Sequence, residues 1–353
     1  MIEHLHRIAA HAWHVGEHDA GRRACERLAR MRLPDRLRPI IRRNRTWYTI
    51  EVKDYWGGEF TRINVRPARE GWSLFNPTIV RYGDRLLVNV RSSNYRIVSG
   101  QYVMPEADAG VIRTENILLA LGESLCAHWG AAYEKTDCPV DGYEDVRLNV
   151  IDRRLFFSAT TRNMAPHDST ARIAVGHLGV RPALAVPACC PETANGAHEK
   201  NWMPIVGRER FVYACSVNGR TATVELQDDA WHVTHHAEAP PLASEFRGGS
   251  QLVPIRDGRW LAVIHEVVED AGRRIYEHRF VRFSEPDDWR IEAVSEPFAF
   301  REPRAIEFCA GLAIDGEPGM EELVATFGVR DEEAWMVRLD MARVLETLED
   351  AWA

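Results

Sequence analysis

The chain reads as an all-β protein: a five-bladed β-propeller with a short N-terminal helical hairpin and a C-terminal helix. Three observations carry this reading. From about residue 46 onward, short apolar runs are punctuated by Gly, Asp, Asn and Pro, the texture of strands joined by tight turns. A single hairpin pattern recurs five times over that stretch. Helical spacing of apolar residues is confined to the two ends.

At the N-terminus, Leu5, Ile8, Ala12 and Val15 fall near helical spacing, and Ala20, Ala24, Leu28 and Met31 do so again after Gly16. This predicts two helices broken near Gly16, the second ended by Pro34. The Arg-rich stretch 36–45 reads as a solvated connection, so residues 1–45 form a helical extension and 46–353 the propeller domain. The extension is expected to pack on the main domain or on a protein partner.

The repeats follow in order. Asn76-Pro77-Thr78-Ile79-Val80 leads through Tyr82-Gly83-Asp84 into Leu86-Leu87-Val88-Asn89-Val90-Arg91. Glu144-Asp145-Val146-Arg147-Leu148, Lys200-Asn201-Trp202-Met203-Pro204, Gly248-Gly249-Ser250-Gln251-Leu252 and Cys309-Ala310-Gly311-Leu312-Ala313 each lead likewise through a turn into an apolar strand. The copies begin at residues 76, 144, 200, 248 and 309. Spacings of 40–50 residues or more, with four strands per unit, are what propeller blades show. A β-sandwich would not explain the repetition. The tail 340–353 is amphipathic through Met341, Val344, Leu345 and Leu348 and reads as a terminal helix.

Composition narrows the function. Lys plus Arg number 44 and Asp plus Glu 52, a formal charge of −8, which is not the footprint of a nucleic-acid binder. The 7 cysteines are scattered and never form C-x-x-C, which reads as reduced thiols in a cytoplasmic protein without a zinc site. No run of about 18 apolar residues is long enough to span a membrane. No metal or cofactor is expected.

In a propeller the innermost strand of each blade lines a central channel, so the polar heads of the repeats converge at one mouth. That gathers Asn76, Asp145, Arg147, Lys200, Asn201, Ser250 and Glu307. The second strands add Arg91, Asn94, Tyr95, His265 and Glu266, and the next strand adds His278 and Arg279. Strand alternation sends Asp145 and Arg147 to one face and Glu144 to the other; Glu144 is counted with the substrate ligands beside it. Trp72, Tyr95 and Trp202 offer aromatic surfaces, with Trp202 read as blade core ahead of sugar platform. A pocket of acids, cations and aromatic rings suits a sugar, whose hydroxyls need directed hydrogen bonds and whose C–H faces stack on rings. No Gly-x-Ser-x-Gly supports a serine hydrolase and no Gly-x-Gly-x-x-Gly a nucleotide fold.

Asn76-Pro77, Glu144-Asp145-x-Arg147, Glu199-Lys200-Asn201 and the blade spacing resemble the five-bladed propeller enzymes acting on β-mannosides, a family of inverting phosphorylases and related hydrolases. The strings EKNWMP, FRGGSQL, HEV, YEHRF, IEF-x-AGL and FGV-x-D-x-EA also resemble a propeller module of bacterial glycosyltransferase-associated chains. The first resemblance implies Asp145 as general acid, with Arg147 and Lys200 holding phosphate. Val146 stands where that family commonly carries Pro.

Inverting cleavage needs an acid for the leaving oxygen and a nucleophile on the opposite face. Hydrolysis adds a second carboxylate as base, for which Glu266, Glu307 and Asp331 are candidates. Phosphorolysis needs cations instead, and Arg91, Arg147, Lys200, His278 and Arg279 are at hand. The expected function is therefore an inverting glycoside phosphorylase or glycosyltransferase on an oligosaccharide or activated sugar, with inorganic phosphate or a sugar nucleotide as co-substrate. The alternatives are an inverting hydrolase and a non-catalytic glycan- or partner-binding module.

Overall fold

A computed structural model describes residues 1–98, 100–105, 110–122, 126–130, 139–163, 170–178, 186–188, 198–228, 230–284 and 288–352. Three helices come first: α1 (Ile2–His11), α2 (His18–Ala29) and α3 (Arg38–Arg45). Gly16, at φ 78°, turns the chain between the first two. They close on a small core of Leu5, Ala9, Ala24, Leu28, Ile41 and Tyr48. Tyr48 donates its hydroxyl to the Ala9 carbonyl at 3.0 Å.

The stretch 36–45 is not a solvated connection. Most of it is α3, with Pro39 in its first turn, where a missing N–H costs nothing. Its last residue, Arg45, is 2% exposed and bonds Glu266 at 2.8 Å and Glu277 at 2.6 Å. Arg38, Arg42 and Arg45 share one helical face, turned toward the β region. The acidic partners of Arg42 (Glu245) and Arg45 (Glu266 and Glu277) lie more than 200 residues away in sequence. No local pattern could announce that pairing.

The described strands form five sheets of four or more strands and one two-stranded ribbon. The first sheet runs Ser73–Tyr82, Arg85–Ser93, Ile112–Ala120, Cys126–Trp129, and the second Glu144–Ile151, Arg154–Thr161, Arg172–His177, Val186–Ala188. The third runs Met203–Pro204, Arg210–Val217, Arg220–Gln227, Ala230–Glu238. The fourth is built on the long hairpin Trp260–Asp270 and Arg273–Phe283, with Arg247–Gly248 and Val253–Pro254 on its inner side. The fifth holds Glu307–Asp315, Glu322–Val329 and Glu333–Asp340, and its fourth strand is Glu59–Arg62. Residues from before the first sheet thus complete the last one.

Hydrogen bonds stitch the inner strands to one another. Leu148 N–H donates to Thr78 Oγ1 (3.4 Å), and Asn149 Nδ2 donates to the Ile205 carbonyl (3.2 Å). Ile205 forms a parallel bridge with Leu252. Gln251 accepts from Leu312 N–H (3.2 Å) and donates to the Ile79 carbonyl, and Thr326 Oγ1 donates to the Pro77 carbonyl (2.8 Å). These polar atoms are fully buried, so their pairing is obligatory. Between the fourth and fifth sheets lies an aromatic core of Trp56, Phe280, Phe298, Phe300 and Phe327.

The C-terminal helix is shorter than the amphipathic spacing predicts. It covers Met341–Glu346, capped by Asp340 Oδ1 accepting from Arg343 N–H at 3.0 Å. Glu349–Asp350 then pairs as a strand with Ile291–Val294. An open sheet edge there outcompetes continued helix. Trp202, 1% exposed, is core beside Phe211 and Trp231 and not a sugar platform. Cys25, Cys126, Cys215 and Cys309 are free thiols; Cys138, Cys189 and Cys190 lie outside the described residues.

Candidate active site

The heads of three inner strands share one backbone device. Asn76, Asp145 and Asn201 all sit in the left-handed region, at φ 46°, 51° and 64°. Asn and Asp tolerate that conformation better than other side-chain-bearing residues. At the first two the strand register slips, between Phe75 and Thr78 and between Glu144 and Arg147. Each slip is a β-bulge, which re-aims the side chain it carries. Alternation therefore fails at the Glu144-Asp145-Val146-Arg147 stretch. Glu144 and Asp145 face the same cavity and both bind Arg91, while Arg147 turns into the protein.

That cavity has a volume of about 730 Å³. Of the residues the sequence nominates, it is lined by Asn76, Arg91, Tyr95, Glu144, Asp145, Lys200, Asn201, His265 and Asp331. It also takes Arg42 from α3, and Tyr102, Arg247, Arg274 and Tyr276, which sequence reasoning did not single out as ligands.

Asp145 is the most elaborately held group. Its Oδ1 accepts from Asn76 Nδ2 at 2.9 Å and from Arg91 Nη1 at 3.0 Å. Burial pushes its carboxyl up, but the Arg91 charge, the Asn76 hydrogen bond, and the Arg147 and Lys200 charges together hold it below the usual carboxylate range. Asp331 behaves oppositely. It accepts from Tyr95 Oη at 3.0 Å, yet burial and the nearby negative charges of Asp145 and Glu144 push it up to about 6, against the attraction of Arg91. Burial drives His265 well below its ordinary value, so it is a neutral imidazole, stacked on Tyr276 at 5.3 Å.

The remaining nominated residues sit elsewhere, for definite reasons. Arg147 is 1% exposed and spends its donors on the carbonyls of Gly249 (2.5 Å) and Asp145 (3.1 Å). Buried with little carboxylate to pair with, it is pushed down to about 10. It stiffens the bulge from behind and does not face the cavity. Ser250 is locked between Val263 N–H and the Gln251 carbonyl. Asn94 ties the end of strand Arg85–Ser93 to the start of Ile112–Ala120, accepting from Arg113 N–H at 2.8 Å and donating to the Val111 carbonyl at 3.0 Å. Glu307 accepts the N–H groups of Phe300, Arg301 and Glu302, and burial pushes it up to about 7. Glu266 and Arg279 point away from His265 and Tyr276, through strand alternation, into the ion-pair network beneath α2 and α3. His278 is wedged between Phe298 and Phe300.

Gly328 fixes the first bulge. A Cβ there would lie 2.2 Å from Asn76 Oδ1 and 2.6 Å from Asn76 N. Gly328→Ala is expected to cost about 1–3 kcal/mol through overpacking and to displace the Asn76 amide from Asp145. Thermal unfolding checks this, and an unchanged melting temperature would show that the bulge yields freely.

No protein-family model matches the chain, and no curated protein does. Solved structures do. A β-1,2-mannobiose phosphorylase from Listeria innocua, in complex with β-1,2-mannobiose, is 13% identical over 82% of this chain and 96% of that one, with a TM-score of 0.54. A glycosyl hydrolase from Bacteroides ovatus is 13% identical over 83% and 97%, with a TM-score of 0.56. A third, from work on GH130 mannoside phosphorylases and the hydrolases among them that target β-1,2 mannosidic linkages in Candida mannan, is 12% identical over 83% and 97%, with a TM-score of 0.57. At such identities the likeness is one of fold: the chain shares the architecture of these propeller-like proteins.

Proposed function

We propose that this chain is a carbohydrate-active enzyme, a five-bladed propeller that makes or breaks a glycosidic bond with inversion on a β-mannoside-like substrate. The observation that carries the reading is the pair of carboxyls in one cavity, held on opposite sides of their ordinary range. Separated pKa values mark the acid and the base of a two-carboxylate site. The solved structures of similar fold support the substrate class, since two of the three concern β-1,2-mannosides.

The resemblance nominates Asp145 as proton donor; the charges around it favour assigning the proton to Asp331. Near neutrality Asp331 at about 6 carries a useful protonated fraction, whereas Asp145 is anionic. In our reading Asp331 protonates the leaving oxygen as the C1–O bond breaks. Asp145, steadied by Arg91 and Asn76, accepts a hydrogen bond from a sugar hydroxyl and so orients the ring. Lys200, exposed in the cavity and close enough for its charge to act on Asp145, holds inorganic phosphate as the nucleophile. Attack by a phosphate oxygen at C1 of a β-mannoside then yields an α-configured sugar phosphate and the shortened, protonated alcohol.

A general acid is dispensable when the leaving group departs unprotonated. Asp331→Asn is therefore expected to lose about 10²–10⁴-fold on β-1,2-mannobiose but to stay near wild type on an aryl β-mannoside with a good leaving group. Wild-type kcat/KM on the disaccharide should fall as pH rises through about 6, and the variant should lack that limb. Equal losses on both substrates would sink the assignment. The same carboxyl has a stability signature. Its folded value lies above its ordinary 3.8, so its contribution is full below 3.8 and lost as pH rises through about 6. Discounted for partial exposure, Asp331→Asn should stabilise by about 1–2 kcal/mol at neutral pH.

A further inference from the structure

Five cations line the cavity: Arg42, Arg91, Lys200, Arg247 and Arg274. Two are neutralised in place. Arg91 pairs with Glu144 and Asp145, and Arg42 with Glu245 at 2.8 Å while donating to the Val267 carbonyl. The exposed side chains of Lys200, Arg247 and Arg274 make no hydrogen bond or ion pair among the described residues. The strand register offers them little. Arg247 lies opposite His265, which is neutral, and Arg274 lies opposite Glu269 without an ion pair forming.

The three fall into two groups. Lys200 acts on Asp145, at the proposed reacting end. Arg274 stands two residues before Tyr276 on the same face of its strand, and Arg247 lies opposite His265, on which Tyr276 stacks. Tyr276 is a half-buried ring in the cavity wall, stacked on His265. A ring flanked by two unpaired guanidinium groups is a platform for a sugar carrying an oxyanion: the ring takes the apolar face and the forks take the charge.

We propose that Arg247 and Arg274 form a second anion locus around Tyr276, so that a sugar presenting a phosphate or carboxylate there is bound in preference to a neutral one. This deepens the reading of the cavity as a glycoside site and rests on it. It is separate from the inorganic phosphate at Lys200.

The test is calorimetric titration of the full chain with mannose, mannuronate, mannose 6-phosphate and inorganic phosphate. Wild type is expected to bind at least one anionic sugar about tenfold or more tighter than mannose, with the advantage shrinking as salt is added. Whether mannuronate or mannose 6-phosphate gains more distinguishes carboxylate from phosphate. The double variant R247Q/R274Q should lose the advantage. Lys200→Ala should keep it while weakening inorganic phosphate. Anionic sugars binding no tighter than mannose, or an advantage that survives R247Q/R274Q, overturns the proposal, as does one matched by inorganic phosphate alone. Binding is read without turnover. A cavity that binds anionic sugars but cleaves no glycoside would sink the proposed activity and leave this locus standing; turnover of neutral mannosides alone would do the reverse.

Discussion

Asp145→Asn is expected to reduce turnover of β-1,2-mannobiose by about 10³-fold or more, and to do so on aryl mannosides as well. The substitution is unusually clean. Asn keeps the shape of Asp and tolerates the left-handed backbone at φ 51°, so the bulge survives. What changes is charge. Asp145 Oδ1 is the shared acceptor for Asn76 Nδ2 and Arg91 Nη1. An amide can keep one oxygen there, but it no longer offsets the Arg91 guanidinium, which is left to Glu144 alone. The anion that would orient the sugar is gone, and no leaving-group activation replaces it. This is where Asp145→Asn and Asp331→Asn part company: loss on every substrate against loss only with poor leaving groups. Steady-state kinetics on both substrate types, with circular dichroism to confirm folding, decides. Turnover of Asp145→Asn within threefold of wild type would end the proposal that this carboxylate works in the reaction.

Why the sequence led to this cavity but not to its wiring is physical. The turns and apolar second strands of the repeats are local signals, so the hairpins Ser73–Tyr82/Arg85–Ser93 and Glu144–Ile151/Arg154–Thr161 were readable residue by residue. The polar heads Asn76, Asp145 and Asn201 stand at equivalent places in three repeats, which is why they meet. Parity was not readable through the bulges. One extra residue at Asp145 brings Glu144 to the cavity and sends Arg147 behind it, exchanging the faces that strict alternation assigns. Along Arg273–Phe283 the regular pleat holds, and it separates Tyr276 from Glu277 and Arg279. Adjacent residues His278 and Arg279, both expected at the mouth, therefore face opposite ways. Arg247 and Arg274 carried a faint signal, the one next to Gly248 and the other two residues after Gly272, both at strand ends. The pairing of Arg45 with Glu266 and Glu277 carried none.

That pairing sets the largest stability effect expected in the molecule. Arg45 and Arg279 are bonded to Glu26, Glu266 and Glu277 in one buried cluster, with Arg45–Glu277 at 2.6 Å, Arg45–Glu266 at 2.8 Å, Arg279–Glu26 at 2.7 Å and Arg279–Glu266 at 2.8 Å. All five residues are at most 4% exposed. The pairs cross from the helices to the fourth sheet, so they fasten α2 and α3 to the strand that also carries His265 and Val267 to the cavity. Removing one partner of such a cluster leaves uncompensated buried charge. Arg45→Met is accordingly expected to cost about 3–5 kcal/mol, measured as a shift in the urea unfolding midpoint at pH 7.5. The pH dependence follows from Glu266. Burial raises its carboxyl, but Arg45 and Arg279 more than reverse this and hold it at about 2, below its ordinary 4.5. Its stabilising contribution is therefore full above 4.5 and lost as pH falls through about 2. Without Arg45 the carboxyl is relieved by protonation, so the penalty should shrink between pH 7.5 and pH 5. The triple variant Arg45→Met, Glu266→Gln, Glu277→Gln should recover part of the loss, because it removes the stranded charges along with their partner. A penalty under about 1 kcal/mol for Arg45→Met, or one that grows as pH falls, would mean that water reaches the cluster and that apolar packing alone holds the helices in place.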